Sequence, residues 1–87
     1  MTIRYSKDKD AWLRKNRGIS FNDIIKIIKE KRYIGIKQNP SKNHQDQKCY
    51  IIKNSSYIYL APFVQDKKTI ILKTIYPSQK YTAIYLN

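Results

Sequence analysis

The residues best suited to chemistry lie in the C-terminal third of the chain, where lysines and tyrosines accompany apolar segments. Lys73, Lys80 and Tyr85 are the candidate catalytic residues. Residues 47–87 contain six Lys or Arg residues and one acid, so these groups lie in a cationic setting. Cations can stabilise negative charge that develops on a phosphate, and amines or phenols can transfer protons when their pKa values approach neutrality. This combination suits cleavage of RNA without a metal, because the 2′-hydroxyl is an internal nucleophile.

A second set of residues could contact the RNA chain. Tyr81 and Tyr85 are four positions apart, so a helix would place both rings on one face, where exposed rings can stack on bases. His44 lies in a polar segment, where it could transfer protons or simply be a solvated side chain. Lys80 could equally be a solvated residue of a tail. The predicted RNA-binding residues are His44, Lys48, Ser78, Gln79 and Tyr81.

The charge balance favours an anionic partner. The chain carries 18 Lys and Arg residues against 6 Asp and Glu residues, for a net charge of +12. Such a surface concentrates polyanions, so nucleic acid, an acidic protein segment and an anionic membrane are the candidate partners. No apolar run approaches the roughly 20 residues of a membrane span, and the N-terminus has no signal-peptide core. We therefore expect a cytoplasmic protein with no membrane partner.

Other classes of site have little support in the sequence. One histidine, one cysteine and scattered acids provide no cluster of metal ligands. Two glycines are too few for a glycine-rich phosphate loop. Cys49 is the only cysteine, which excludes an internal disulfide, and it reads as an apolar filler in a strand. We expect no metal and no cofactor.

The sequence predicts that the helices and strands that position these residues form one α+β domain over residues 1–87. The predicted order is β-α-α-β-β-β-β followed by a short C-terminal tail, with the two N-terminal helices packed on one face of an antiparallel sheet. The tail, residues 78–86, is either a short helix or irregular. Ser6 can cap the first helix and Gly18 can end it. Trp12 and Leu13 are its core candidates. The second helix begins at a capping box and carries an apolar stripe of Phe21, Ile24, Ile25 and Ile28.

The strands follow as a meander of short hairpins. They are predicted over residues 33–37, 48–53, 57–65 and 69–76, with turn residues between the last three. Pro62 cannot donate to a ladder, so it marks a bulge or an outward-facing position. In this reading Lys73 lies in the middle of the last strand, and alternation places it on the opposite face from Thr74.

Short motifs in a fixed order span nearly the whole chain. They are YSKDK at residues 5–9, Asn16, GISF at residues 18–21, KTIYPSQK at residues 73–80, and Tyr85. Together they resemble the BrnT-type toxins of bacterial toxin–antitoxin pairs. The resemblance implies a RelE-like fold and a metal-independent endoribonuclease that inhibits translation. It also implies two partners: a cognate antitoxin of the ribbon-helix-helix type, and RNA, which could be ribosome-associated mRNA.

The chain departs from this family at two cationic positions. Gln79 stands where the closing segment of the family has Arg, and Thr74 stands where its preceding strand often has Arg. These losses leave open a weak or inactive toxin, that is, a non-catalytic basic module that binds nucleic acid or an antitoxin. A third reading is a basic domain of a larger assembly.

Overall fold

The computed structural model, which describes residues 1–86, is an α+β fold of three helices and a mixed six-stranded sheet. The α+β class is therefore confirmed. The helices are α1 (Lys7–Arg17), α2 (Phe21–Lys29) and α3 (Gln79–Leu86). The strands are β1 (Thr2–Arg4), β2 (Gly35–Gln38), β3 (Lys48–Asn54), β4 (Tyr57–Asp66), β5 (Thr69–Leu72) and β6 (Tyr76–Pro77).

Helix α1 begins and ends where the sequence predicts. The N–H of Lys9 donates to the hydroxyl of Ser6 at 3.2 Å, and Gly18 ends the helix with a left-handed φ of 64°. Glycine suits that position because it adopts a positive φ without steric cost. Leu13 is buried as expected, but Trp12 remains 43% exposed and is not part of the core. Most of α1 is therefore in contact with solvent.

Helix α2 is the core helix that its apolar stripe predicts. The N–H of Asp23 donates to the hydroxyl of Ser20, and the N–H of Ser20 donates back to the Asp23 carboxylate, which completes the capping box. Both bonds satisfy donors that a helix start otherwise leaves unpaired. The fully buried residues of this helix are Phe21, Ile24 and Ile28.

The sheet is mixed, so the expectation of a purely antiparallel sheet is wrong. Its strands lie in the order β1-β5-β4-β3-β2, and β6 also pairs with β4. Strands β2 to β5 form the predicted antiparallel meander, whereas β1 runs parallel to β5 with Ile3 opposite Ile70. Two helices and three strands separate β1 from β5 in the chain, so no hairpin imposes an antiparallel direction on this pair.

The last predicted strand is split into two pieces. It ends at Leu72, and the chain pairs with the sheet again only as β6. Strand β4 pairs with β5 through residues 63–66 and with β6 through residues 59–60. Residues 73–75 therefore leave the regular ladder between the two pieces.

The C-terminal residues, for which the sequence leaves a short helix or an irregular tail open, form a helix. The hydroxyl of Ser78 accepts the N–H of Tyr81 at 3.2 Å and so caps α3. Helix α3 covers the face of the sheet opposite to α1 and α2, over an apolar cluster of Cys49, Ile51, Ile58, Leu60 and Tyr81. The sheet is thus covered on both faces, and the element order ends in a helix. None of the helices within residues 1–86 has the length and apolar character needed to cross a membrane.

Candidate nucleic-acid interface

A surface cleft of about 830 Å³ opens where the loop before β3 meets the chain segment after β5. Lys9, near the start of α1, forms a third wall. The cleft is lined by Lys9, Asn39, Pro40, Ser41, His44, Gln47, Pro62, Lys73, Thr74 and Tyr76. Two residues of the predicted site, His44 and Lys73, are therefore brought together although 29 positions separate them in the chain.

Lys73 reaches the cleft because β5 ends one residue before it. Its backbone N–H still donates to the carbonyl oxygen of Pro62 at 2.8 Å, after which the chain leaves the ladder. The expected alternation of Lys73 and Thr74 between the sheet faces does not apply, because both residues lie between β5 and β6, and both line the cleft. Alternation of faces holds only in extended, paired backbone, and these two residues lie outside it. The Lys73 side chain is exposed to solvent.

His44 is held by the backbone of a closed loop. The N–H of Asn39 donates to the carbonyl oxygen of Gln47 at 2.8 Å, which joins the two ends of the loop. Within it, a short 3-10 turn spans Lys42–His44. The N–H of His44 donates to Ser41 and its carbonyl oxygen accepts from Gln47, at 3.1 and 3.0 Å. The imidazole is thus presented from an ordered turn, with its side chain exposed.

The buried amide of Asn39 ties this loop to the segment that carries Lys73. Asn39 is only 3% exposed. Its side-chain oxygen accepts from the Tyr76 hydroxyl at 3.2 Å and from the N–H of Ser41 at 3.1 Å. Its side-chain nitrogen donates to the amide oxygen of Gln47 at 3.3 Å. Sequence reasoning missed this network, because an Asn-Pro pair predicts a loop but does not reveal that the Asn side chain is buried.

Two groups in this region keep their protons at neutral pH. Burial, followed by the neighbouring Cys49 and Tyr81 side chains, raises the pKa of Tyr76 above its usual value. Burial likewise raises the pKa of the Cys49 thiol to about 11. Tyr76 is therefore a hydrogen-bond donor in the cleft and a poor proton acceptor, and Cys49 is a buried thiol with little nucleophilic character.

The cleft is cationic because its lining contains Lys9 and Lys73 and no acidic residue. Asp8 and Asp10 flank Lys9 in the sequence, and neither lines the cleft. The Asp10 carboxylate accepts from the N–H of Phe21 at 2.8 Å and from Arg14 at 2.9 Å. Partial burial opposes its ionisation, but these two bonds outweigh that effect and lower the pKa of Asp10. Asp10 is thus an ionised structural acid that fixes the start of α2.

Thr74 lines the cleft and adds no charge to it. Its hydroxyl oxygen is buried and has no hydrogen-bond partner within residues 1–86. Buried polar atoms are normally satisfied by protein, water or ligand, so this oxygen is an exception in the wall of the cleft.

The predicted convergence of Lys73 with Lys80 and Tyr85 is wrong, because the last two residues lie on α3 and do not line the cleft. On that helix the Tyr85 ring stacks on Tyr81, with centroids 6.1 Å apart. The Lys80 ammonium lies 5.8 Å from the Tyr81 ring, and Lys37 of β2 approaches the same ring at 5.0 Å. The C-terminal cations and phenols therefore form their own group around Tyr81.

The remaining predicted contacts also lie outside the cleft. Ser78 is occupied as the cap of α3, and Gln79 is the exposed first residue of that helix. Lys48 is the exposed first residue of β3. Tyr76 joins the two regions, because it lines the cleft and also packs against the apolar cluster that contains Tyr81. The α3 group is thus a neighbour of the cleft and not part of it.

Within residues 1–86, no group of three or more His, Cys, Asp or Glu side chains gathers to hold a metal. The chemistry that the cleft offers is proton transfer by an imidazole and electrostatic stabilisation by lysines. The phenol of Tyr76 and the amide of Asn39 are bonded to each other and hold the wall of the cleft. Comparison with known protein families, curated proteins and solved structures finds no match to this chain. The functional conclusion therefore depends on the cleft and on the sequence motifs.

Proposed function

We propose that this chain is the toxin of a toxin–antitoxin pair, a metal-independent endoribonuclease that cuts RNA in the cleft and inhibits translation. The single observation that carries the proposal is the meeting of His44, Lys73 and Lys9 in a cleft without acids. The order of the short motifs supports placement among BrnT-type toxins with a RelE-like fold, acting in the cytoplasm.

The proposed reaction is attack of the ribose 2′-hydroxyl on the adjacent phosphorus. His44 accepts the 2′-hydroxyl proton as the new oxygen–phosphorus bond forms, since it is the only imidazole that lines the cleft and histidine commonly acts as a general base. The bond to the 5′-oxygen breaks, and that oxygen takes a proton from water, which reaches the open cleft. The hydroxide that remains takes the proton from His44 and restores the neutral imidazole. Lys73 and Lys9 stabilise the additional negative charge on the phosphate. The products are a 2′,3′-cyclic phosphate and a 5′-hydroxyl.

The partners follow from the charge of the chain. A net charge of +12 favours RNA, including mRNA on the ribosome, and it also favours a neutralising protein with acidic segments. The antitoxin that the motifs imply, of the ribbon-helix-helix type, would inhibit the toxin by covering the cleft. Co-expression with such a neighbour-encoded protein should restore growth to cells that the toxin arrests.

A specific observation favours a second function, that of a non-catalytic RNA-binding or antitoxin-binding module. The cleft holds one imidazole, and its phenol, Tyr76, has a raised pKa. Thr74 and Gln79 also replace the two arginines that the resemblance leads us to expect. A site with one proton-transfer group and two lysines can bind a phosphate chain without cutting it efficiently.

Cleavage of end-labelled RNA in buffer containing EDTA separates the two functions. The toxin should release fragments that end in a cyclic phosphate, and RNA with 2′-O-methyl groups throughout should remain intact because its nucleophile is blocked. Saturable binding without fragments would support the non-catalytic module. Absence of both binding and cleavage would contradict both functions.

A further inference from the structure

Trp12 is a large aromatic side chain that the core does not use. It lies on α1 and remains 43% exposed. Two cations approach its ring: the ammonium of Lys9 at 4.4 Å from the ring centroid and the guanidinium of Arg17 at 4.8 Å. The indole of Trp12 therefore contacts two cations and solvent, and packing in the core does not explain its presence.

Both of these cations connect Trp12 to the cleft. Lys9 itself lines the cleft. Arg17 donates to the carbonyl oxygen of Ile75. The two neighbours of Ile75 in the chain, Thr74 and Tyr76, line the cleft. Trp12 therefore lies beside the α1 wall, next to the site at which we place the reacting phosphate.

We propose that Trp12 is the base-stacking platform of this site, on which a nucleobase of single-stranded RNA stacks while the adjoining phosphate binds Lys9 and Lys73. The inference rests on the proposed RNA-binding function and extends it to the base. Proteins that hold single strands combine a cationic groove with exposed aromatic rings in this way. Stacking uses the face of the base, so it tolerates any of the four bases.

In the free protein, cations occupy the indole surface on which the base would stack. A cation over an exposed ring is weakly attracted to it, whereas base stacking on an aromatic side chain is stronger. When a base arrives, the flexible ammonium of Lys9 moves from the indole to the phosphate. Arg17 is fixed by its bond to Ile75 and keeps the indole close to the cleft. Lys9 thus has one role in the free protein and another in the complex.

The sequence provides a direct reporter, because Trp12 is the only tryptophan of the chain. We would titrate the full chain with a single-stranded 2′-O-methyl RNA that cannot be cleaved and follow the fluorescence of the indole. A chain of equal length and charge without bases is the control. The RNA should quench the fluorescence to saturation, and the abasic chain should bind with little quenching. Equal quenching by both chains would overturn the inference, since it would report charge alone.

Variants test the contribution to affinity. Trp12→Ala should weaken binding of the 2′-O-methyl RNA by about tenfold or more while leaving the salt dependence unchanged, since no phosphate contact is lost. Ile34→Ala is the matched control: Ile34 is 42% exposed and does not line the cleft, so its loss should leave the affinity unchanged. If the wild-type chain binds RNA and Trp12→Ala binds it equally well, the stacking inference fails and RNA binding stands. If the wild-type chain binds no RNA, the proposed function itself fails.

Discussion

The backbone N–H of Lys73 donates to the carbonyl oxygen of Pro62 at 2.8 Å, immediately beyond Leu72 and Phe63, the last pair of the ladder between β5 and β4. The N–H and carbonyl groups of one residue in an extended strand face the same neighbouring strand. The missing N–H of Pro62 therefore lies where the ladder between β4 and β5 is interrupted. Pro62 favours the departure of the chain at this point, and the departure is what places Lys73 in the cleft.

Lys73 should bind a phosphate of the RNA chain. Lys73→Ala is expected to weaken binding of single-stranded RNA and to reduce the slope of log affinity against log salt by about 0.7, the value for one lost contact to a single strand. Fluorescence anisotropy at several salt concentrations measures both quantities. Lys53→Ala removes an exposed lysine of β3 that does not line the cleft, so it should leave the slope nearly unchanged. Equal slopes for the two variants would show that Lys73 does not contact a phosphate of the RNA.

His44 should act in the chemical step more than in binding. His44→Gln keeps a polar side chain in the turn, and it should slow cleavage by about a hundredfold or more, as expected for loss of a proton-transfer group. Affinity for 2′-O-methyl RNA should change little. Asn43→Gln alters the adjacent exposed position of the same turn and should leave cleavage unchanged. A His44→Gln chain that cuts RNA at the wild-type rate would exclude the imidazole from the reaction.

The bond between Tyr76 and Asn39 should position the loop that carries His44. Tyr76→Phe removes the phenol donor and should cost about 1 kcal/mol of folding free energy, the usual contribution of such a bond. It should also slow cleavage while preserving the salt dependence of binding, because the lysines remain. Urea unfolding and single-turnover cleavage measure the two effects. Tyr57→Phe, at a half-buried tyrosine outside the cleft, is the control.

Cys49 should make the fold less stable in alkali. Its pKa is 9.0 for an ordinary thiol and about 11 in the fold. Between these values the unfolded chain loses the proton while the folded chain keeps it, so the folded state becomes less stable as pH rises through this window. Two pKa units correspond to about 2–3 kcal/mol. Urea unfolding at pH 8 and pH 10.5 should show a larger loss of stability for the wild type than for Cys49→Ala; parallel losses would contradict the assignment.

Local signals in the sequence predicted α1, α2 and the central meander. Ser6 and Gly18 bound α1 because capping depends on neighbouring residues alone. The parallel pairing of β1 with β5 could not be read in the same way, since it joins distant segments without a hairpin. The end of β5 at Leu72 could not be predicted for a related reason. Residues 73–76 have the composition of a strand, and the strand ends because Pro62 on the neighbouring β4 has no N–H to donate.

The site was predicted in part for the same reasons. His44 and Lys73 were named from their residue types, and tertiary structure brought them together. Lys80 and Tyr85 were expected beside Lys73 because all three are cations or phenols in the C-terminal third of the chain. Lys80 and Tyr85 lie on α3, and the burial of Tyr81 on the far face of the sheet directs these two side chains away from the cleft.

The central claim is that RNA is cut in the cleft and not on α3. One cleavage assay in EDTA with four variants at equal protein concentration tests it directly. Lys73→Ala and His44→Gln should lose most of the activity, while Lys80→Ala and Tyr85→Phe should retain it. Full activity in the first two variants, with loss in the last two, would contradict the account.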